Sequence, residues 1–313
     1  MDLMSRNCSA VSQMAPHVTG ERSMKTRWKV LITIGAFVLF LLAIVGTVLL
    51  VNEAFVMPFM GNRVAIIPIK GDITLEGCGS SIFGTYQCAR VSTIKKSLRE
   101  ADGDPTVRAV VLDINSGGGS VVASRELMRA IKNTSKPVVA WIGEAGASGA
   151  YYAATGADRI MAERDSLTGS IGVIMIVRHY YGLYQKLGIN VTVIKAGKSK
   201  DIGSPYREMT EEEKEELKEM INQIYHDFVS DVAKNRNLSF SYVENISDGT
   251  LYLGSKAKEL GLIDEVGGID DAIQLAAELG GIEGEPVVKG EEAREEISIL
   301  DLFTRGVRLK WAE

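Results

Sequence analysis

The chain has 313 residues, 46% of them hydrophobic and 24% charged, with 35 Lys+Arg against 40 Asp+Glu. This is the balance of an ordinary folded protein, and it excludes a disordered or collagen-like chain. The net charge of −5 argues against nucleic acid as a partner, because phosphates select basic surfaces.

In chain order, residues 1–29 read as a basic tail with five Lys/Arg and two Asp/Glu. Residues 30–51, VLITIGAFVLFLLAIVGTVLLV, are 22 residues without a charge, and about 20 such residues span the hydrocarbon core of a bilayer. The pattern predicts a transmembrane helix rather than a signal peptide, whose apolar stretch runs to about 7–15 residues. Arg22, Lys25, Arg27 and Lys29 precede it, whereas residues 52–66 contain only Arg63. The positive-inside rule then keeps the tail cytoplasmic and places the body outside the membrane. The body is acidic, since the residues after the span hold 30 Lys/Arg against 38 Asp/Glu.

A linker is expected over residues 52–63, a folded domain over 64–280 and an extension over 281–313. Cys8 falls in the tail on the reducing side, while Cys78 and Cys88 lie ten apart in a Gly/Ser-containing loop on the side where disulfides persist. A disulfide between Cys78 and Cys88 is one reading and two unpaired thiols the other, since pairing depends on a Cα separation that spacing does not fix.

Short β-branched runs predict strands at 64–69, 107–115, 137–143, 159–162 and 191–195 (VTVIK). Helical periodicity falls between them at 91–101, at 120–132 and after Ser148. A long charged helix follows over 211–234, with Leu217, Met220, Ile221, Ile224, Phe228, Val229 and Val232 on one face. The alternation predicts an α/β fold with a parallel sheet and functional groups at the carboxyl ends of its strands.

Two of those strand ends carry chemistry. Ser116-Gly117-Gly118-Gly119-Ser120 matches neither a phosphate-loop nor a dinucleotide-loop spacing, which leaves a tight turn or an oxyanion hole. Ser148, in EAGASGAY, stands among small residues at a helix start, where it is either a nucleophile or an N-cap. A nucleophile needs a base, and His17 lies across the membrane. His179 and His226 have no convincing setting, and an α/β-hydrolase arrangement would need a later histidine and a glycine at Ala150. Lys195, Lys198 and Lys200 are the remaining candidates, each equally readable as a solvated loop charge. A lysine base must be desolvated, its pKa falling from about 10.4 to about 7–8.

Taken together, INSGGGS at 114–120, GASGAYYAA at 146–154, LTGSIGV at 167–173 and KDIGSPYREMT at 200–210 resemble the signal peptide peptidase A family. A closing segment, YLGSKAKELGLIDEVGGIDDA, at 252–272 extends the similarity, which runs from about 64 to 276. The resemblance implies a ClpP/crotonase-like spiral of ββα units behind the membrane helix and a Ser/Lys dyad that needs no cofactor or metal. Position by position it implies Ser148 as nucleophile, Lys200 as general base and Ser170 as the residue that positions the lysine amine. The backbone N–H groups of Gly118 and Gly149 become the oxyanion donors. One departure stands out, since Gly117 occupies the place of a family proline, which loosens the turn.

The implied activity is a membrane-anchored serine endopeptidase acting through an acyl-enzyme on leftover signal peptides and other apolar segments near the membrane. A ring-like homo-oligomer with active sites facing inward, completed by neighbouring subunits, is also implied. The competing readings are a related protease that cuts specific membrane proteins, a non-catalytic scaffold of the same fold, and an acyl-CoA-binding crotonase enzyme. The last conflicts with the expected topology.

Overall fold

The computed structural model describes residues 21–55, 61–78, 80–81, 84–85 and 87–290. Most of the expected tail, with Cys8 and His17, and residues 291–313 of the expected extension lie outside the described residues. The chain divides into two units, 1–59 and 60–313.

Among the described residues the first unit is one helix, α1 (Glu21–Phe55). Its segment Leu31–Val48 has a mean hydropathy of 2.7 and none of it is buried, so it has the length and composition to cross a membrane. The two hydroxyls it carries are satisfied within the helix: Thr33 Oγ1 donates to Lys29 O and Thr47 Oγ1 to Ala43 O. A helix that is apolar on every side, with its few polar groups bonded inward, suits lipid and not a half-wet surface.

The second unit begins with β1 (Arg63–Lys70) and β2 (Asp72–Thr74), then the short pair β3 (Ser80–Ser81) and β4 (Gly84–Thr85), then β5 (Cys88–Arg90) and α2 (Val91–Gly103). The next turn is β6 (Val107–Ser116) and α3 (Val121–Lys132), followed by β7 (Val138–Ala147) and α4 (Gly149–Ala154). Strands β8 (Arg159–Ala162) and β9 (Leu167–Gly169) precede α5 (Tyr181–Lys186), α6 (Glu211–Arg236) and α7 (Phe240–Asn245). The unit closes with β10 (Leu251–Leu253), α8 (Gly254–Glu259), β11 (Glu265–Val266), α9 (Ile269–Leu279) and β12 (Val287–Gly290).

The main sheet runs β10-β9-β7-β6-β1-β12, with β8 joining β7 to β11, and every pair is parallel except β10 with β9. Strand β6 is buried on both faces, which is why it reads VRAVVLDIN and not as an alternating pattern. Ile67, Ile69, Leu112 and Ile114 join the larger core with α2, α3 and α4, while Val64, Ala109 and Val111 pack with Ala272, Ala276 and Ala277 of α9. The expected ββα repetition is visible. The first unit is β1–β2–α2, and the second is β6, an isolated bridge of Gly119 to Ile73 of β2, and α3. Strand β12 adds residues 287–290 to the edge at β1, so the sheet runs beyond position 280.

Cys78 and Cys88 are paired in the structure with their Cα atoms 5.5 Å apart, inside the range of about 4.4–6.8 Å that a disulfide spans.

One expected strand is absent. VTVIK at 191–195 forms no regular element, and neither does IMIVR at 174–178. Ile174 is 84% exposed and Ile194 96% exposed. A strand exists only through its hydrogen-bonded neighbour, and no sheet edge among the described residues pairs with these runs. Similarly, α6 is buried only at Phe228, Val229, Val232 and Ala233, while Met220 of the same stripe is exposed.

The carboxyl end of α6 is fixed by an ion pair. Arg236 Nη1 and Nη2 each reach Asp264 at 2.9 Å, and Asp264 also accepts the Ile160 N–H at 2.7 Å, which ties α6 to β8. Burial pushes the Asp264 carboxyl up, but the Arg236 bonds and the Ile160 N–H outweigh it and hold it below the usual carboxylate range. A depressed folded-state pKa contributes stability above the unfolded value of about 3.9 and loses it as the pH falls through the folded value. Asp264→Asn is therefore expected to lower stability at pH 7 by about 3 kcal/mol. The deficit should shrink as both proteins are titrated below pH 4 in urea melts; a deficit independent of pH would refute the charge account.

Candidate active site

Strand register brings the two motif serines together. Strands β7 and β9 are parallel with Ala147 opposite Gly169, so Ser148 and Ser170 each stand one residue beyond a paired strand end. Both have positive φ, 51° and 48°, a conformation that side-chain-bearing residues adopt only when their surroundings hold them there. The holding bonds are visible: Ser148 N donates to Gly169 O at 2.8 Å, Ser170 N to Thr250 O at 2.8 Å, and Tyr152 N to Ser148 O at 2.9 Å. Ser148 occupies the N-cap position of α4, yet its side chain makes no capping bond. Its hydroxyl is thus left for other work, presented on a sharp strand-to-helix turn as a nucleophile would be.

The glycine run packs directly against this turn. Gly118 has φ +112°, and a Cβ there would fall 2.8 Å from Gly149 N and 3.1 Å from Ser148 Cβ, so only glycine fits. The Gly118 N–H donates to Ser116 Oγ at 3.1 Å, and its carbonyl accepts from Ile73 N at 2.8 Å. The N–H groups of Gly119 and Gly149 have no acceptor among the described residues. Of the expected oxyanion donors, Gly149 is therefore free, whereas Gly118 is engaged by a side-chain oxygen.

Ser148, Gly149, Gly119 and Ser170 line one cavity of about 350 Å³. Its walls are apolar: Val121 from α3, Val173 and Ile174 after β9, and Ile224 and Phe228 from α6. Tyr152, one turn beyond Ser148, stacks on Phe228 with ring centroids 4.5 Å apart. Its hydroxyl donates to Asp231 at 2.5 Å and accepts from Arg125 Nε at 3.1 Å, while Arg125 also reaches Asp227 at 3.0 Å. Burial and the Asp231 bond push the Tyr152 phenol up to about 12 against the opposing Arg125. At neutral pH Tyr152 is a protonated wall residue and no base.

No Lys, His, Asp or Glu lines this cavity among the described residues. His179 and His226 are exposed, and His226 rests against the Phe240 ring at 4.8 Å. Lys200 is exposed and its amine bonds to nothing among the described residues. Its neighbourhood is ordered nonetheless. Arg207 bonds Asp201 at 2.8 and 2.9 Å and Glu213 at 2.8 Å, and Glu213 closes a capping box with Thr210 at the start of α6. Arg207, followed by the Thr210 N–H, holds the Glu213 carboxyl down to about 2. Lys195 also pairs with Asp201, so of the three loop lysines Lys195 is occupied.

Two residues at the site escape sequence reasoning. Tyr152 stands four after Ser148, on the same face of α4. Ser124 interrupts the buried stripe of Ala123, Leu127, Met128 and Ile131 on α3, and a serine within an apolar face is the signal that could have found it. Ser124 Oγ is buried without a hydrogen-bond partner among the described residues and takes up the space that a Cβ on Gly149 would need, 2.2 Å from that point.

A serine held on a strained turn, with backbone donors beside it and an apolar groove in front, is an arrangement that serine hydrolases use. The model of peptidase family S49 matches residues 130–283. A candidate protease of Methanocaldococcus jannaschii is 44% identical over 234 residues, covering 74% of this chain and 75% of that protein. A candidate protease of a Synechocystis species is 42% identical over 224 residues, covering 71% and 80%. A candidate signal peptide peptidase A of Enterococcus faecium is 38% identical over 215 residues, covering 68% and 62%. The chain belongs to peptidase family S49 and is a serine peptidase that acts on peptide substrates.

Proposed function

We propose that the protein is a membrane-anchored endopeptidase in which Ser148 is the nucleophile and Lys200 of a neighbouring copy is the base. One observation supports the assignment of the base to a neighbour: among the described residues no Lys, His, Asp or Glu lines the cavity at Ser148, while Lys200 is exposed outside it. A neighbour packed on the exposed runs 174–178 and 191–195 would bury apolar side chains such as Ile174 and Ile194. It would also bring a lysine out of water into the mouth of the groove. Because each copy both gives and receives, such a contact is heterologous and closes into a ring when the rotation allows.

Neutral Lys200 takes the Ser148 hydroxyl proton as Oγ bonds to the substrate carbonyl carbon. The oxyanion that forms is held by Gly149 N–H and by Gly118 N–H, which exchanges Ser116 Oγ for it. Ser170 orients the lysine amine. Collapse of the intermediate breaks the C–N bond, and the lysine gives its proton to the leaving amine. Water then attacks the acyl-enzyme, passing a proton to Lys200, and Ser148 leaves with one.

The substrates are apolar, extended peptides, including leftover signal peptides, because the groove walls are Val121, Val173, Ile174, Ile224 and Phe228. The span in α1 tethers the body where such peptides collect, with the basic flank of Arg22, Lys25, Arg27 and Lys29 on the cytoplasmic side. The test is a panel presented to the full chain in detergent: a quenched leucine- and valine-rich peptide, the same peptide with aspartates at its centre, and an intact folded membrane protein. The apolar peptide should be cleaved with a kcat/KM about 100-fold above the charged one. Cleavage of the folded protein alone would favour a protease dedicated to particular membrane partners, and no cleavage at all a scaffold.

A further inference from the structure

We propose that the Cys78–Cys88 pair is a positioning element of the oxyanion hole, supplying the rigidity that the glycine at position 117 withholds. The inference rests on the reading of Ser148 as nucleophile and of the Gly118–Gly149 pair as the hole.

The chain of contacts is short. Cys88 opens β5, which pairs in parallel with β2 through only three residue pairs, Asp72 with Cys88, Ile73 with Ala89 and Thr74 with Arg90. The opposite edge of β2 holds the glycine turn: Ile73 N donates to Gly118 O at 2.8 Å and Ser120 N donates to Ile73 O at 3.0 Å. The approach is so close that a Cβ on Gly119 would fall 2.2 Å from Ile73 O. The position of the turn is therefore the position of β2. The pairing is short and buries only Ile73 and Ala89 in the core, and the covalent bond between Cys78, four residues past the end of β2, and Cys88 ties its two strands together.

The turn needs that support, because three successive glycines leave its backbone many alternative conformations. Nothing lies within 4 Å of a Cβ built on Gly117, and its φ is not positive. Its N–H donates to no acceptor among the described residues. A proline there would cost no hydrogen bond, and the preceding Ser116 is already extended in β6, the conformation proline requires of its predecessor. Gly117→Pro thus restores stiffness by a second, independent route.

The experiment measures initial rates on the quenched apolar peptide with the full chain in detergent, in a Cys8→Ser background. Oxidised protein is compared with protein reduced by a phosphine, and with Cys78→Ser/Cys88→Ser, each with and without Gly117→Pro. Losing the bond should lower kcat about 10- to 100-fold, below the ceiling set by loss of a whole oxyanion donor. KM should change less than about 3-fold, since four of the five apolar groove walls, Val173, Ile174, Ile224 and Phe228, come from segments that do not pair with β2. Gly117→Pro should recover most of the loss in the reduced protein. Hydrogen exchange should quicken at residues 116–120 on reduction and stay unchanged across α4.

An unchanged kcat on reduction would overturn the proposal. So would a loss that Gly117→Pro does not rescue, or one that comes with faster exchange throughout the body, since either marks a purely structural bond. The exchange readout does not depend on activity. If exchange responds as expected but no activity abolished by Ser148→Ala exists, the failure belongs to the nucleophile assignment and not to the coupling of the disulfide to the turn.

Discussion

Ser148→Ala is expected to lower kcat on the apolar peptide by on the order of 10⁵-fold, with the folded state untouched. The separation of the two effects follows from the geometry. The Ser148 hydroxyl makes no capping bond to α4, so its removal strands no buried partner, and alanine carries the same Cβ at the same positive φ. The backbone bonds that impose that φ, from Ser148 N to Gly169 O and from Tyr152 N to Ser148 O, survive the substitution. Thermal melting should therefore move by no more than a surface substitution would move it, within about 0.5 kcal/mol. The decisive comparison is a paired measurement of kcat and melting. A variant with full activity would remove Ser148 from the chemistry, and one that lost activity only in proportion to lost fold would make it a structural residue.

Lys200→Ala carries the second large effect, a loss of about 10⁴-fold, the upper range for a missing general base. Its structural cost should again be small, because the amine is exposed and unbonded among the described residues. Arg207 serves as the contrast. It bonds Asp201 and Glu213, so Arg207→Ala should loosen the segment that carries Lys200 and lower kcat by about 100-fold, the scale of a misplaced group.

The stronger prediction concerns mixtures. Ser148→Ala and Lys200→Ala chains, each inactive alone, should regain activity when assembled together, because a serine from one copy then meets a lysine from the next. Random pairing in a ring places a competent serine beside a competent lysine at about a quarter of the sites. Mixed assemblies that form and stay inactive would show that each chain completes its own dyad, and the base would then have to reach the cavity by movement within one copy.

The central strands were legible because they are buried on both faces, so their β-branched runs carry their own signature. The predicted strands at 64–69, 107–115 and 159–162 match β1, β6 and β8 closely. The predicted strand at 191–195 carries the same composition, as does the run at 174–178, and both stay irregular. Composition reports that a run is able to pair, whereas pairing depends on a partner edge elsewhere, and none lies among the described residues. The helix 211–236 shows the same limit. Its apolar stripe predicted one packing face, but only Phe228, Val229 and Val232 of it are fully buried, while Ile224 lines the cavity and Met220 is exposed.

By itself the sequence determined the apolar helix near the start and the α/β class of the body, both written in local composition or short-range spacing, and its ordered motifs carried the resemblance to a serine-peptidase family. Tertiary structure alone decided that Ser148 and Ser170 stand side by side, since their proximity comes from the parallel register of β7 with β9 across twenty-two residues. It also decided that the glycine turn hangs from Ile73, that Tyr152 belongs to a network with Arg125 and Asp231, and that Lys200 stays outside the cavity it was expected to serve. These are relations between distant segments, fixed by strand pairing and helix packing, and no local pattern records which distant backbone a residue will meet.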